Sequence, residues 1–298
     1  MSTSKKLGIV VAADGSPASN FAASWAARTA AMRNVPLTVV HAVATPTATW
    51  PPVAYPDSLA VRLEDEGKKA IMHAMKIAED AMPADRKVAI GRELVYSAPA
   101  LALIKMSDDA EMIVVGTSGR GLLARGVLGS VSSTVVRQAN CPVAVIHDED
   151  LPDPGAPVLV GIDGSPVSEL ATEIAFDEAS RRGVDLLALY AWSDVTVNDI
   201  LDVLELDWAT VEPEAELRLA ESLAGYQERY PDVTVHRLVV CDRPARQLAE
   251  KSESAQLVVV GSHGRGGLTG MLLGSVSNTI LHSVRIPVIV AKPASVSS

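Results

Sequence analysis

Two glycine-rich stretches carry the residue types best suited to chemistry. Gly116-Thr117-Ser118-Gly119 is followed by nine residues and then Gly129-Ser130; Gly261-Ser262-His263-Gly264 is followed by nine residues and then Gly274-Ser275. Each stretch follows an apolar run (112–115 and 257–260) that reads as a buried strand, and each leads into a predicted helix (131–139 and 276–284). A loop of this kind suits phosphate. Its glycines let the backbone come close to an anion, and the helix start supplies free N–H groups and the positive end of a dipole. Asp14 and Asp163 each close another apolar run, 7–13 and 158–162, and stand before the same Gly-Ser-Pro sequence.

The elements that must position these loops come in a fixed alternation. Strands are predicted at 7–13, 37–43, 88–95, 112–115 and 142–146, the first a continuous apolar run as expected for a central parallel strand covered on both faces. Between them lie predicted helices at 17–33, 58–82, 99–107 and 131–139, the first with Ser16 as N-cap and Pro17 in its first turn. After an acidic, Pro-containing linker at 148–155 the pattern restarts. Strands are predicted at 158–162, 185–191, 233–240, 257–260 and 287–291, and helices up to 182, at 214–229, 244–253 and 276–284. Aligning 112–146 with 257–291 without gaps leaves 16 identical positions, so the chain is an internal duplication. The domains expected are 1–147 and 156–298. Alternation of this type predicts an α/β fold: two tandem Rossmann-like domains, each a five-stranded parallel sheet in the order 3-2-1-4-5. That order puts Asp14 beside Gly116, and Asp163 beside Gly261, at the point where ligands bind in such sheets.

Composition narrows the class. Of 298 residues, 48% are hydrophobic and 21% charged, which suits a packed core. The net charge is −10; residues 1–147 carry 15 basic and 12 acidic groups, and 156–298 carry 11 and 20. A nucleic-acid surface wants a basic patch, so no nucleic acid is expected as a partner. No apolar run has the length of a membrane helix, and the first six residues are polar, so no membrane partner and a cytoplasmic location are expected. Cys141 and Cys241 have no metal or disulfide spacing.

The Gly-x2-Gly-x9-Gly-Ser spacing, met twice, together with a first strand ending in Asp and five strands per copy, resembles the universal stress protein family in its ATP-binding form. The likeness covers nearly the whole chain. It implies one ATP per domain and a bacterial role in response to stress, hypoxia or growth arrest. It also implies the contacts. In the first copy these are Ala12, Asp14 and Ala42, then Gly116, Thr117, Ser118, Gly119, Arg120 and Gly121, then Gly129, Ser130, Val131 and Ser132. In the second they are Gly161, Asp163 and Ala191, then Gly261, Ser262, His263, Gly264, Arg265 and Gly266, then Gly274, Ser275, Val276 and Ser277. The aspartates would sit by the adenosine, and Ala42 and Ala191 would meet adenine. Ala12 replaces the commoner glycine kept at Gly161, adding a methyl near the first nucleotide.

Other readings of the same residues stay open. Gly119 to Ala124 fits GxGxxA, but follows a fourth strand rather than a first, and no Walker lysine accompanies either loop. Without a positioned nucleophile, base or clamp beyond Arg120 and Arg265, a nucleotide-dependent regulator is expected rather than an enzyme. The alternatives are a slow ATPase or nucleotidyl transferase, and a scaffold that binds no nucleotide. His263 reads as a solvated loop side chain and His41 as a satisfied core or rim residue. Asp14 and Asp163 are the candidate carboxylates for a phosphate-borne Mg2+. The short strands 142–146 and 287–291 are expected to pair the copies and to leave matching surfaces for a homodimer, with any regulatory protein partner unknown. Alanine at Gly116, Gly261 or Gly264 is expected to empty the site without disturbing the core.

Overall fold

In a computed structural model, which describes residues 7–44, 57–117, 128–147, 152–191, 208–264 and 273–293, the apolar runs become parallel strands. The described residues form two compact units, within 7–147 and 152–293. Unit 1 comprises β1 (Gly8–Ala12), α1 (Pro17–Arg33), β2 (Leu37–Val43), α2 (Asp57–Ala81), β3 (Ile90–Tyr96), α3 (Pro99–Met106), β4 (Ala110–Gly116), α4 (Ser130–Gln138) and β5 (Val143–Ile146). Unit 2 repeats it with β6 (Val158–Ile162), α5 (Pro166–Arg182), β7 (Leu186–Ala191), α6 (Trp208–Arg229), β8 (Val235–Val240), α7 (Pro244–Ser252), β9 (Leu257–Gly261), α8 (Ser275–Ser283) and β10 (Val288–Ala291).

Strand order is β3-β2-β1-β4-β5 in unit 1 and β8-β7-β6-β9-β10 in unit 2, the order the sequence predicts. Val11 stands opposite Val39 on one side and Val114 on the other; Val160 stands opposite Ala188 and Val259. Strand order therefore reverses between β1 and β4, and between β6 and β9. The connections from these neighbours leave on opposite faces, so a crevice opens at their carboxyl ends.

The central strands are apolar without interruption because helices cover both faces: Ile9, Val10 and Val11 are fully buried, as are Val158, Leu159 and Val160. Helix α1 shows no narrow apolar stripe. Its buried positions are mostly alanine (Ala18, Ala22, Ala23, Ala26, Ala27, Ala30), and the small side chains let it lie close to the sheet. Unit 2 uses a larger side chain: Phe176 is fully buried, with the rings of Tyr226 and Tyr230 stacked 5.4 and 5.7 Å away. The buried Glu178 accepts from Arg182 at 2.8 Å, and Arg182 also reaches Gln256. The Gln256 amide donates to the carbonyls of Pro154 and Ala156, which docks the described end of the linker onto unit 2.

Ser16 and Ser165 cap α1 and α5 as expected, each accepting from the backbone N–H three residues on at 3.2 Å. The largest departure is α6, which starts at Trp208 and carries Pro213 inside it rather than beginning at 214. Pro213 stands in the second turn, where it removes an N–H that would bond the carbonyl four residues earlier, and the helix runs on past it. No helix among the described residues is long and apolar enough to cross a membrane.

The two cysteines differ in reach. Cys141 is buried and burial pushes its thiol up to about 12, whereas Cys241 is exposed. Maleimide labelling of the native protein near neutral pH should modify Cys241 alone, with Cys141 reacting only after denaturation. Mass mapping that finds Cys141 modified in the folded protein would contradict this packing.

Candidate functional site

Asp14 begins the turn between β1 and α1. Its Oδ1 accepts from the Ser16 N–H at 2.9 Å, and Asp163 holds Ser165 in the same way at 2.9 Å. The Ser19 hydroxyl accepts from the Gly15 N–H at 3.2 Å and donates to the Ser16 carbonyl at 2.9 Å. The carboxylate is therefore fixed by the backbone it precedes, at the positive end of α1.

The second half of the site is the start of α4. Gly129 is its N-cap residue, with φ −64° and ψ 160°, and no side chain caps it; Gly274 stands likewise before α8 with φ −73° and ψ 159°. These helix starts contrast with α1 and α5, whose first N–H groups are taken by serine. Free N–H groups at a helix start with no side-chain cap suit an anion. The glycine loops are closed at their bases. Gly129 N–H donates to the Thr117 carbonyl at 2.6 Å, and Gly274 N–H to the Ser262 carbonyl at 2.7 Å. The Ser132 hydroxyl then donates back to the Gly116 carbonyl at 2.6 Å, and Ser277 makes the same bond to Gly261.

In unit 1 these parts enclose a cavity of about 360 Å³. Its walls come from the ends of β1 (Ala12, Ala13, Asp14), β2 (Val40, His41, Ala42) and β4 (Val115, Gly116), from Ser16 and Ser19, from α3 (Pro99, Ala102, Leu103), and from Gly129, Ser130, Val131 and Ser132. A space of this size, largely apolar with a few converging polar groups, is typical of small-molecule sites.

Of the residues expected in unit 1, Ala12, Asp14, Ala42, Gly116, Gly129, Ser130, Val131 and Ser132 line the cavity. Thr117 does not. It is buried, and its N–H donates to the Ile146 carbonyl at 3.0 Å. Ser118, Gly119, Arg120 and Gly121 lie outside the described residues, as do Arg265 and Gly266. In unit 2, Gly264 lies against the Asp163 carboxylate: a Cβ built there would overlap Oδ2. Ser262 is buried, with its N–H on the Ala291 carbonyl at 3.0 Å, while Ser275 is exposed at the start of α8. Gly161 and Ala191, half-buried at the ends of β6 and β7, repeat the positions of Ala12 and Ala42, and Val276 and Ser277 follow Ser275 in the first turn of α8.

Three expectations need correction. Gly116 does not spare its Cβ for an anion. A Cβ there would lie 2.7, 2.8 and 2.9 Å from the C, Cβ and O of Ala18, so this glycine lets α1 cross the end of β4. At Gly261 the approach of Val167 and His263 is looser, at 3.3 Å. Alanine at Gly116 therefore disturbs the core. Second, the side-chain position at Gly161 faces Leu248 of α7, 3.0 Å away, so the alanine-for-glycine exchange at Ala12 bears on helix packing as well as on the cavity wall. Third, His263 is half-buried rather than solvated, with Nδ1 3.1 Å from the Ser262 hydroxyl.

Val40, Pro99, Ala102 and Leu103 are not expected from the sequence, and His41, expected as a satisfied core or rim residue, is one, with Nδ1 on the Ala13 carbonyl. The signal was available in the strand order, which puts the end of β2 beside that of β1, with α3 opening above them. Among the described residues no group of three or more His, Cys, Asp or Glu could hold a bare metal ion. One fixed carboxylate per unit fits a Mg2+ that arrives on phosphate oxygens. Lys292, just past β10, is 8% exposed, and burial pushes its ammonium down to about 8.

A duplicated, doubly wound α/β protein with a polar-ended cavity at a switch point is the class these features define. The universal stress protein family matches residues 8–147 and again 156–292. A universal stress protein of Mycobacterium tuberculosis is 63% identical over 291 residues, covering 97% of this chain and 98% of its own. A second from that species is 52% identical over 294 residues, covering 98% of each. Among solved structures, a universal stress protein from Archaeoglobus fulgidus superposes with a TM-score of 0.72 at 21% identity, covering 97% of this chain and 99% of its own, a likeness of fold alone. The chain belongs to the universal stress protein family.

The glycine geometry gives a graded expectation. Gly116→Ala should lower the melting temperature clearly, by an overpacking cost of about 1–3 kcal/mol, because backbone and not a flexible tip is met. Gly261→Ala should cost less. Thermal denaturation of the two variants checks the order, and equal losses would contradict it.

Proposed function

We propose that the protein binds ATP at the carboxyl ends of both sheets and acts as a nucleotide-dependent regulator in a cytoplasmic stress response, including hypoxia or growth arrest, rather than as an enzyme. The observation that carries this reading is the meeting, in one cavity, of Asp14 and the start of α4, where no side chain caps the helix. Phosphates would take the N–H groups at Ser130 and its neighbours. Ribose would face Asp14, and the base would enter between β2 and α3, where the wall is apolar (Val40, Ala42, Ala102, Leu103). Unit 2 has the same parts, with Asp163 and the start of α8. Mg2+ would come bound to the triphosphate and use at most the one carboxylate per site; EDTA leaving ATP affinity unchanged would speak against that.

The reading also takes the protein to be a homodimer. Two like copies in one chain offer matching surfaces to a second chain, which supports it. Sedimentation equilibrium at micromolar concentration should give twice the chain mass.

Ser130 and Ser275 are exposed first-turn residues, so replacing both with aspartate leaves the core alone and favours the helices through their dipoles. The added charge stands where phosphate would bind. Wild-type protein should gain about 2.7 kcal/mol of stability per occupied site at a hundredfold excess of ATP over Kd. The Ser130→Asp, Ser275→Asp variant should be as stable without ATP and gain nothing with it. Differential scanning measures both, and an undiminished ATP shift in the variant would sink the assignment. Chromatography of what the purified protein releases on denaturation identifies the nucleotide directly.

A further inference from the structure

In unit 1, His41 lines the cavity between Val40 and Ala42 at the end of β2, and its contacts set it apart. Its Nδ1 lies 2.6 Å from the carbonyl oxygen of Ala13, the residue before Asp14. A carbonyl can only accept, so Nδ1 carries the proton and the tautomer is fixed. The Ala13 N–H donates to the Val40 carbonyl at 2.8 Å. The peptide group on each side of Ala13 is thus tied to β2, by the backbone on one side and by the imidazole on the other.

A second observation points to the same ring. Gly67 stands inside α2, a 25-residue helix, where glycine costs about 1 kcal/mol relative to alanine. A Cβ at Gly67 would lie 2.6 Å from His41 Cδ2, 3.1 Å from its Nε2 and 2.9 Å from Leu94 Cδ1. The glycine makes room for the imidazole. Unit 2 has no such arrangement at the equivalent register: Tyr190 pairs with Ile162, and its hydroxyl bonds Arg218 of α6.

We propose that His41 is a positioning residue of the unit 1 nucleotide site, holding the Ala13–Asp14 turn in its binding geometry through an Nδ1–H bond that unit 2 lacks. This rests on the ATP reading above. It makes the two sites unequal in what holds their aspartates, so substitution at His41 should act on one site only.

Photolabelling of the full chain with 8-azido-ATP, followed by proteolysis and peptide mapping, reads the two units separately. Asparagine can place an N–H donor close to where Nδ1 stands; leucine cannot. In His41→Leu, half-saturation of unit 1 peptides should need at least about tenfold more nucleotide, while unit 2 peptides label as in wild type, which serves as an internal control for folding. His41→Asn should stay within about threefold of wild type. Wild-type labelling of unit 1 in His41→Leu would overturn the proposal. So would an asparagine variant as weak as the leucine one, since the donor would then be irrelevant. Failure of the wild-type protein to be labelled in either unit would sink the ATP reading itself, and this proposal with it.

Discussion

The structure depends on how closely a helix can pass over the end of a strand. At the reversal between β1 and β4, α1 must start directly above β4 to return along the sheet. Gly116 allows it, since any side chain would meet the backbone of Ala18. The alanine-rich inner side of α1 continues that close approach along the helix. From this packing the site follows. The β1–α1 turn comes down beside the end of β4, and Asp14 and the start of α4 face one cavity.

Two helix starts meet there with opposite treatment. The first N–H groups of α1 and α5 are satisfied within the turn, by Ser16 and Ser165, and each aspartate accepts from the same turn. The starts of α4 and α8 have glycine at the cap position. A chain that caps one pair of helices with serine and puts glycine before the other pair leaves the helix start that faces the cavity without a side-chain cap. The Gly129 N–H donates to the Thr117 carbonyl and the Gly274 N–H to the Ser262 carbonyl, which ties each helix start to the end of the preceding strand.

The two copies are not identical devices. Unit 1 ties its aspartate turn with His41 under Gly67, and unit 2 puts Tyr190 at that register and turns it toward Arg218. Gly264 lies against Asp163 in unit 2, and Leu248 presses on the glycine that unit 1 replaces with Ala12. After duplication the aspartate turns and the glycine-capped helix starts stayed alike, while the parts that support the strand ends diverged.

Much of this was legible in the chain itself. Uninterrupted valine and isoleucine runs gave buried parallel strands, the two Asp-Gly-Ser-Pro turns gave capped helix starts, and the repeated spacing gave two copies of one domain. These are local signals, set by propensity, capping and periodicity, and they read correctly because no distant contact opposes them. The start of α6 misled because Pro213 does not end the helix that contains it. What only the tertiary structure decided was which atoms meet. The spacing could not say that Gly116 spares room for α1 while Gly264 spares it for Asp163, because both read as glycine in a loop. Nor could it join His41 to Ala13 or to Gly67, since those pairs lie 28 and 26 positions apart and meet only when β2 pairs with β1 and α2 packs across it. The type of each residue is written in the sequence; the neighbour that gives it a purpose is chosen by the packing of the whole unit.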